Sequence, residues 1–62
     1  MADNNLLSLT ESGRNKYLAI ADDAIKLSQL CLNAADSHSV GEDELERIKM
    51  LVGNISRTSN SI

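Results

Sequence analysis

The sequence predicts an all-α fold, a hairpin of one long and one shorter antiparallel helix. Three observations carry that expectation. Proline is absent, so nothing interrupts a long helix. Tyr17 is the only aromatic residue, and a core of Leu, Ile, Val and Ala suits close-packed helices better than a sheet. Apolar residues recur every three to four positions in two stretches divided by Asp36-Ser37-His38-Ser39, without the period-two alternation of a strand.

Residues 1–10 read as a leader that carries Leu6, Leu7 and Leu9 and is too short for a stable helix of its own. Ser8-Leu9-Thr10-Glu11 fits a capping box with Ser8 as the cap and Glu11 reaching back. Thr10 and Ser12 are rival caps, so the first helix is expected to begin between residues 9 and 14 and to occupy 11–36. At about 100° per residue with Tyr17 at zero, one wide face collects Tyr17, Ile20, Ala21, Ala24, Leu27, Ser28, Cys31 and Ala35. Its centre line is small, made of Ala21, Ala24, Ser28, Cys31 and Ala35. Bulky residues flank it, Ile20 and Leu27 on one side and Leu18, Ile25 and Leu32 on the other. The whole face spans roughly 200°, twice what a helix needs against one neighbour. This helix is therefore expected to touch more than one other helix.

Residues 37–39 read as the turn, followed by a second helix over 40–55. Ser39-Val40-Gly41-Glu42 fits a capping box with Ser39 as the cap. Glu42, Asp43 and Glu44 place negative charge in the first turn, where the helix dipole favours it. Leu45, Ile48, Leu51, Val52 and Ile55 share one face. Gly53 is either a C-terminal cap or a tolerated weak point within the helix. Residues 56–62 lack periodicity and are expected to be a flexible tail. At about 1.5 Å per residue the arms measure roughly 35–40 and 20–25 Å, so the second cannot run the length of the first. Two hairpins packed face to face would cover the exposed remainder, which makes a homodimeric four-helix bundle the simplest closed arrangement.

Composition excludes several functional classes. With 62 residues the chain is one domain at most, and a domain this small is marginal without a disulfide, a metal or a partner. One cysteine closes no internal bridge, and one His with one Cys does not furnish an ordinary structural zinc site. No cofactor or metal is expected. The net charge is −3 and the Lys and Arg residues are scattered, against the clustered basic footprint of a nucleic-acid reader. No stretch is long and apolar enough to span a bilayer, and Met1 to Asn5 lacks the features of a secretory signal. A lone cysteine suits a reducing compartment, so a cytoplasmic location is expected.

No catalytic residue is identified. His38 reads as a solvated turn histidine, since triads are assembled from distant segments. Cys31 reads as a small buried apolar residue that crosslinks two protomers only if it lies near a two-fold axis. The acids at 42–44 and Glu46 read as helix capping and lack the spacing of a calcium loop. Leu30 and Met50 fit neither apolar face. They are ordinary exposed residues or part of a patch for another protein. The expected function is a non-enzymatic interaction module, a small regulator, adaptor or inhibitor that binds a larger protein. The alternatives are a structural subunit of a larger assembly and, with less support, a transcription-associated regulator.

Overall fold

The computed structural model describes residues 6–62. Two helices, α1 (Glu11–Ser37) and α2 (Glu42–Asn60), pack antiparallel as a hairpin, and the described residues contain no strand.

The first helix starts where a hydroxyl can satisfy its orphan amides. Thr10 is the N-cap, with extended backbone, and its Oγ1 accepts the Gly13 amide at 3.0 Å. Of the other two candidate caps, Ser8 lies before the helix and Ser12 inside it. The helix ends on a left-handed residue, His38, at φ 55° and ψ 29°. The Ser39 amide then donates to the Ala34 carbonyl at 3.2 Å and the His38 amide to the Ala35 carbonyl at 3.4 Å. That pair of bonds is the Schellman arrangement, with a histidine in the position that glycine usually fills. Ser37 Oγ adds a bond to the Asn33 carbonyl and another to the Ser39 carbonyl, at 2.9 and 3.1 Å.

Because the Schellman turn consumes His38 and Ser39, the second helix starts later than the expected residue 40. Its N-cap is Gly41, and Glu44 Oε1 accepts the Gly41 amide at 3.1 Å. Ser39 is not the cap; its hydroxyl donates to Ser37 Oγ instead. Glu42, Asp43 and Glu44 do occupy the first turn, as charge complementarity with the dipole requires. These assignments separate two substitutions that the sequence treats alike. Thr10→Ala is expected to cost about 1 kcal/mol in urea unfolding, whereas Ser39→Ala should fall within about 0.5 kcal/mol of the parent.

Most of the expected tail, residues 56–60, is helical. α2 runs on to Asn60, where the Ser61 amide bonds the Arg57 and Thr58 carbonyls. Two features anchor this last stretch. Thr58 is half-buried, with its Oγ1 donating to the Asn54 carbonyl at 2.9 Å. Lys16 Nζ reaches across from α1 to the Ser61 carbonyl at 2.8 Å, placing a cation at the negative end of α2. The second arm therefore extends past the expected end at residue 55 to the level of Lys16, yet with 19 residues against 27 it remains shorter than the first, as expected. Gly53 proves to be a weak point inside a continuous helix, and a Cβ built on it meets nothing within 4 Å. Gly53→Ala is expected to raise stability by about 1 kcal/mol, read as a higher thermal midpoint in circular dichroism.

The seam between the helices follows a regular line. On α1 the less exposed residues are Gly13, Lys16, Ile20, Asp23, Leu27, Leu30 and Ala34, and on α2 they include Ile48, Leu51, Ile55 and Thr58. Both sets alternate steps of three and four, the spacing of helices packed side by side at a shallow angle. The resulting body is a single layer of 46 × 24 × 15 Å, scarcely thicker than one helix with its side chains. Its radius of gyration is 15.3 Å, against about 11 Å for a compact domain of this length. A layer that thin has almost no interior. Leu51, 7% exposed, is the only buried residue among those described.

Candidate interaction surfaces

α2 docks on one flank of the wide apolar face of α1 and leaves the centre uncovered. Ile20 and Leu27, from the expected interface, lie in the seam together with Ile48, Leu51 and Ile55. Tyr17, Ala21, Ala24, Ser28, Cys31 and Ala35 do not; all are exposed. The far flank is more open still, with Ile25 and Leu32 exposed by 60 and 61%. Cys31 is a free and exposed thiol, so its expected burial does not hold within one chain.

On α2, Leu45 and Val52 were expected in the same packing face as Ile48 and Leu51, but both are exposed. Each lies about 90–110° around the helix from the seam. The small centre line of α1 lies about 90° from its own seam. Because the helices are antiparallel, both rotations turn toward the same side of the layer. Leu45 and Val52 therefore extend the open α1 surface into one apolar face that crosses both helices.

The opposite side of the layer holds an open cleft of about 440 Å³. Leu30, Met50 and Leu51 form its apolar part, and Lys26, Asn33 and Arg47 stand around it. Thus the two residues that fit neither helix pattern converge on one place. Leu30 is half-buried rather than freely exposed, because the seam line of α1 passes through it. Met50 is 59% exposed. Lys26 pairs with Asp22 at 3.1 Å across one helical turn, with both side chains largely in solvent. Arg47 makes no ion pair among the described residues.

Sequence reasoning missed Lys16, Asp23, Asn54 and Thr58, all of which are half-buried. A heptad-like signal was present, since Ile20, Asp23, Leu27, Leu30 and Ala34 repeat at steps of three and four. It was hidden because the apolar residues of α1 serve two directions, and their average points between the seam and the open face. His38 stands at the turn, away from both surfaces, and its backbone conformation rather than its imidazole explains its place. Among the described residues no helix is long and apolar enough to cross a membrane. No known protein family, curated protein or solved structure matches this chain.

Proposed function

We propose that this chain is a non-enzymatic interaction module that pairs with a second copy into a four-helix bundle and acts by binding a larger protein. The observation that carries the pairing is the apolar face running from Tyr17 to Ala35 and across Leu45 and Val52, uncovered in a hairpin where Leu51 is the only buried residue among those described. Monomeric proteins rarely leave so much of their apolar surface in one uncovered patch. Domains of this size commonly obtain missing core from association.

Side-chain size favours an antiparallel arrangement of the two α1 helices about an axis at Ser28. Residues equidistant from Ser28 then face one another, so that Ala24 meets Leu32 and Cys31 comes near Ile25. Each bulky flank residue enters the gap left by a small one, as ridge-into-groove packing requires. The partner layer would complete the core that a 15 Å layer lacks. Acting through a larger protein is the reading supported by a second surface, the cleft between Leu30 and Met50, on the side of the layer away from the open apolar face. His38 at the turn and Cys31 on the open face lie on separate surfaces.

Light scattering on a sizing column, run over a wide range of concentration, tests the pairing. The expected result is twice the chain mass of 6.7 kDa. A folded monomer at every concentration removes the pairing, and growth into large particles favours an assembly subunit instead. Oxidation of the dimer tests the orientation. About an axis at Ser28 the two Cys31 Cα atoms are separated by about 9 Å along the helices, beyond the reach of a disulfide. Rapid Cys31–Cys31 crosslinking would mean that the copies are parallel.

A further inference from the structure

We infer that the cleft between Leu30 and Met50 is the docking site for an acidic amphipathic helix of a partner protein. This inference rests on reading the chain as an interaction module, but not on its self-pairing, because the cleft lies on the side of the layer away from the open apolar face.

Charge commits the occupant. The chain has nine Asp and Glu against six Lys and Arg, yet among the described residues no carboxylate lines this cleft. Its charged residues are Lys26 from α1 and Arg47 from α2, brought together only by the antiparallel packing. Arg47 has no ion-pair partner among the described residues, and its planar guanidinium suits a carboxylate held by two parallel bonds. Lys26 is held by Asp22, but that pair is largely solvated, and such pairs contribute little. An incoming carboxylate can therefore share or replace Asp22 at little cost.

Shape and chemistry select the rest of the ligand. The floor is Leu51 and the walls are Leu30 and Met50, so the centre accepts one bulky apolar side chain. Methionine adapts its shape to different side chains, which suits a peptide-binding wall. A groove between two antiparallel helices is the natural seat of a third helix. A partner helix with an apolar anchor and acids one turn away on either side would place the anchor on Leu51 and the acids beside Arg47 and Lys26. This is helix-in-groove recognition, read through residues spaced by three and four.

The test is selection of a displayed library of random short peptides on the full chain, followed by fluorescence-polarisation titration of the winners. The expected winners carry Leu, Ile, Met or Phe with Asp or Glu three or four positions away. Arg47→Glu is expected to weaken them at least about tenfold, since it removes a charge partner and introduces repulsion. Met50→Asp is a second variant at an exposed position and should weaken them comparably. Both variants should retain the helicity and solution mass of the parent. Those readouts separate failure here from failure of the pairing. No enrichment, winners without acids, or winners that bind Arg47→Glu as tightly as the parent while its fold is intact would overturn the inference.

Discussion

Ala24→Arg is expected to abolish self-association and, with it, most of the helical signal at micromolar concentration. In one chain Ala24 is exposed, so the arginine meets no obstacle within the hairpin itself. In the proposed bundle Ala24 stands at the closest approach of two α1 helices, where it leaves room for the opposing Leu32. An arginine there cannot pack and would leave a charge without a partner in an apolar interface, a defect that costs several kcal/mol. Because Leu51 is the only one of the described residues that the hairpin alone buries, the separated copies would hold little structure, as in dimers without a stable monomer. Ala24→Ser, which preserves the small volume, should leave mass and helicity near the parent values. Light scattering and circular dichroism on the same samples decide the matter. If Ala24→Arg keeps both the mass and the helicity of the parent, the open face of α1 is not the pairing surface.

Leu51→Ala is expected to be the most damaging substitution within the hairpin, at about 2–3 kcal/mol in urea unfolding. Leu51 is the one described residue with almost no exposure, and it sits where the seam meets the floor of the cleft. Removing its side chain takes away buried apolar surface and leaves a gap that neighbouring side chains fill only in part. A domain of this size has only about 3–5 kcal/mol to lose, so the variant should keep at most a small residual stability and unfold at much lower urea than the parent. Met50→Ala, one residue earlier on an exposed position, should change stability by no more than about 0.5 kcal/mol. Equal unfolding midpoints for Leu51→Ala and the parent would mean that α2 docks along a different line.

These two substitutions also mark how far the sequence could be read. The helices, the turn and the antiparallel order follow from local rules. The apolar spacing from Tyr17 to Ala35 and from Leu45 to Ile55 marks two helices, and Asp36 to Ser39 marks the break between them. Caps were legible as a class but not residue by residue. Ser8, Thr10 and Ser12 all carry the required oxygen, and only the path of the chain selects Thr10. Ser39 lost the second cap for a related reason. The Schellman turn takes its amide, which pushes the start of α2 to Glu42 and hands the cap to Gly41 and Glu44. The end of α2 was hidden because Arg57 to Asn60 has no apolar period; its order rests on half-buried Thr58 and on Lys16, which is 45 residues from Ser61.

What the sequence determined by itself is that this chain forms two amphipathic helices, one with more apolar surface than a single neighbour can cover. That follows from composition and periodicity, which are local. Only the tertiary structure decided which part of that surface α2 takes. It takes the flank through Ile20, Leu27 and Leu30, where bulky side chains make a ridge, and leaves the small line through Ala24 and Ser28 open. The same choice joins Leu30 to Met50 and Lys26 to Arg47 in one cleft, although each pair is about twenty residues apart in the chain. Periodicity assigns a residue to a side of its own helix. The rotation of one helix against the other depends on how two whole surfaces interlock, and no single helix encodes it.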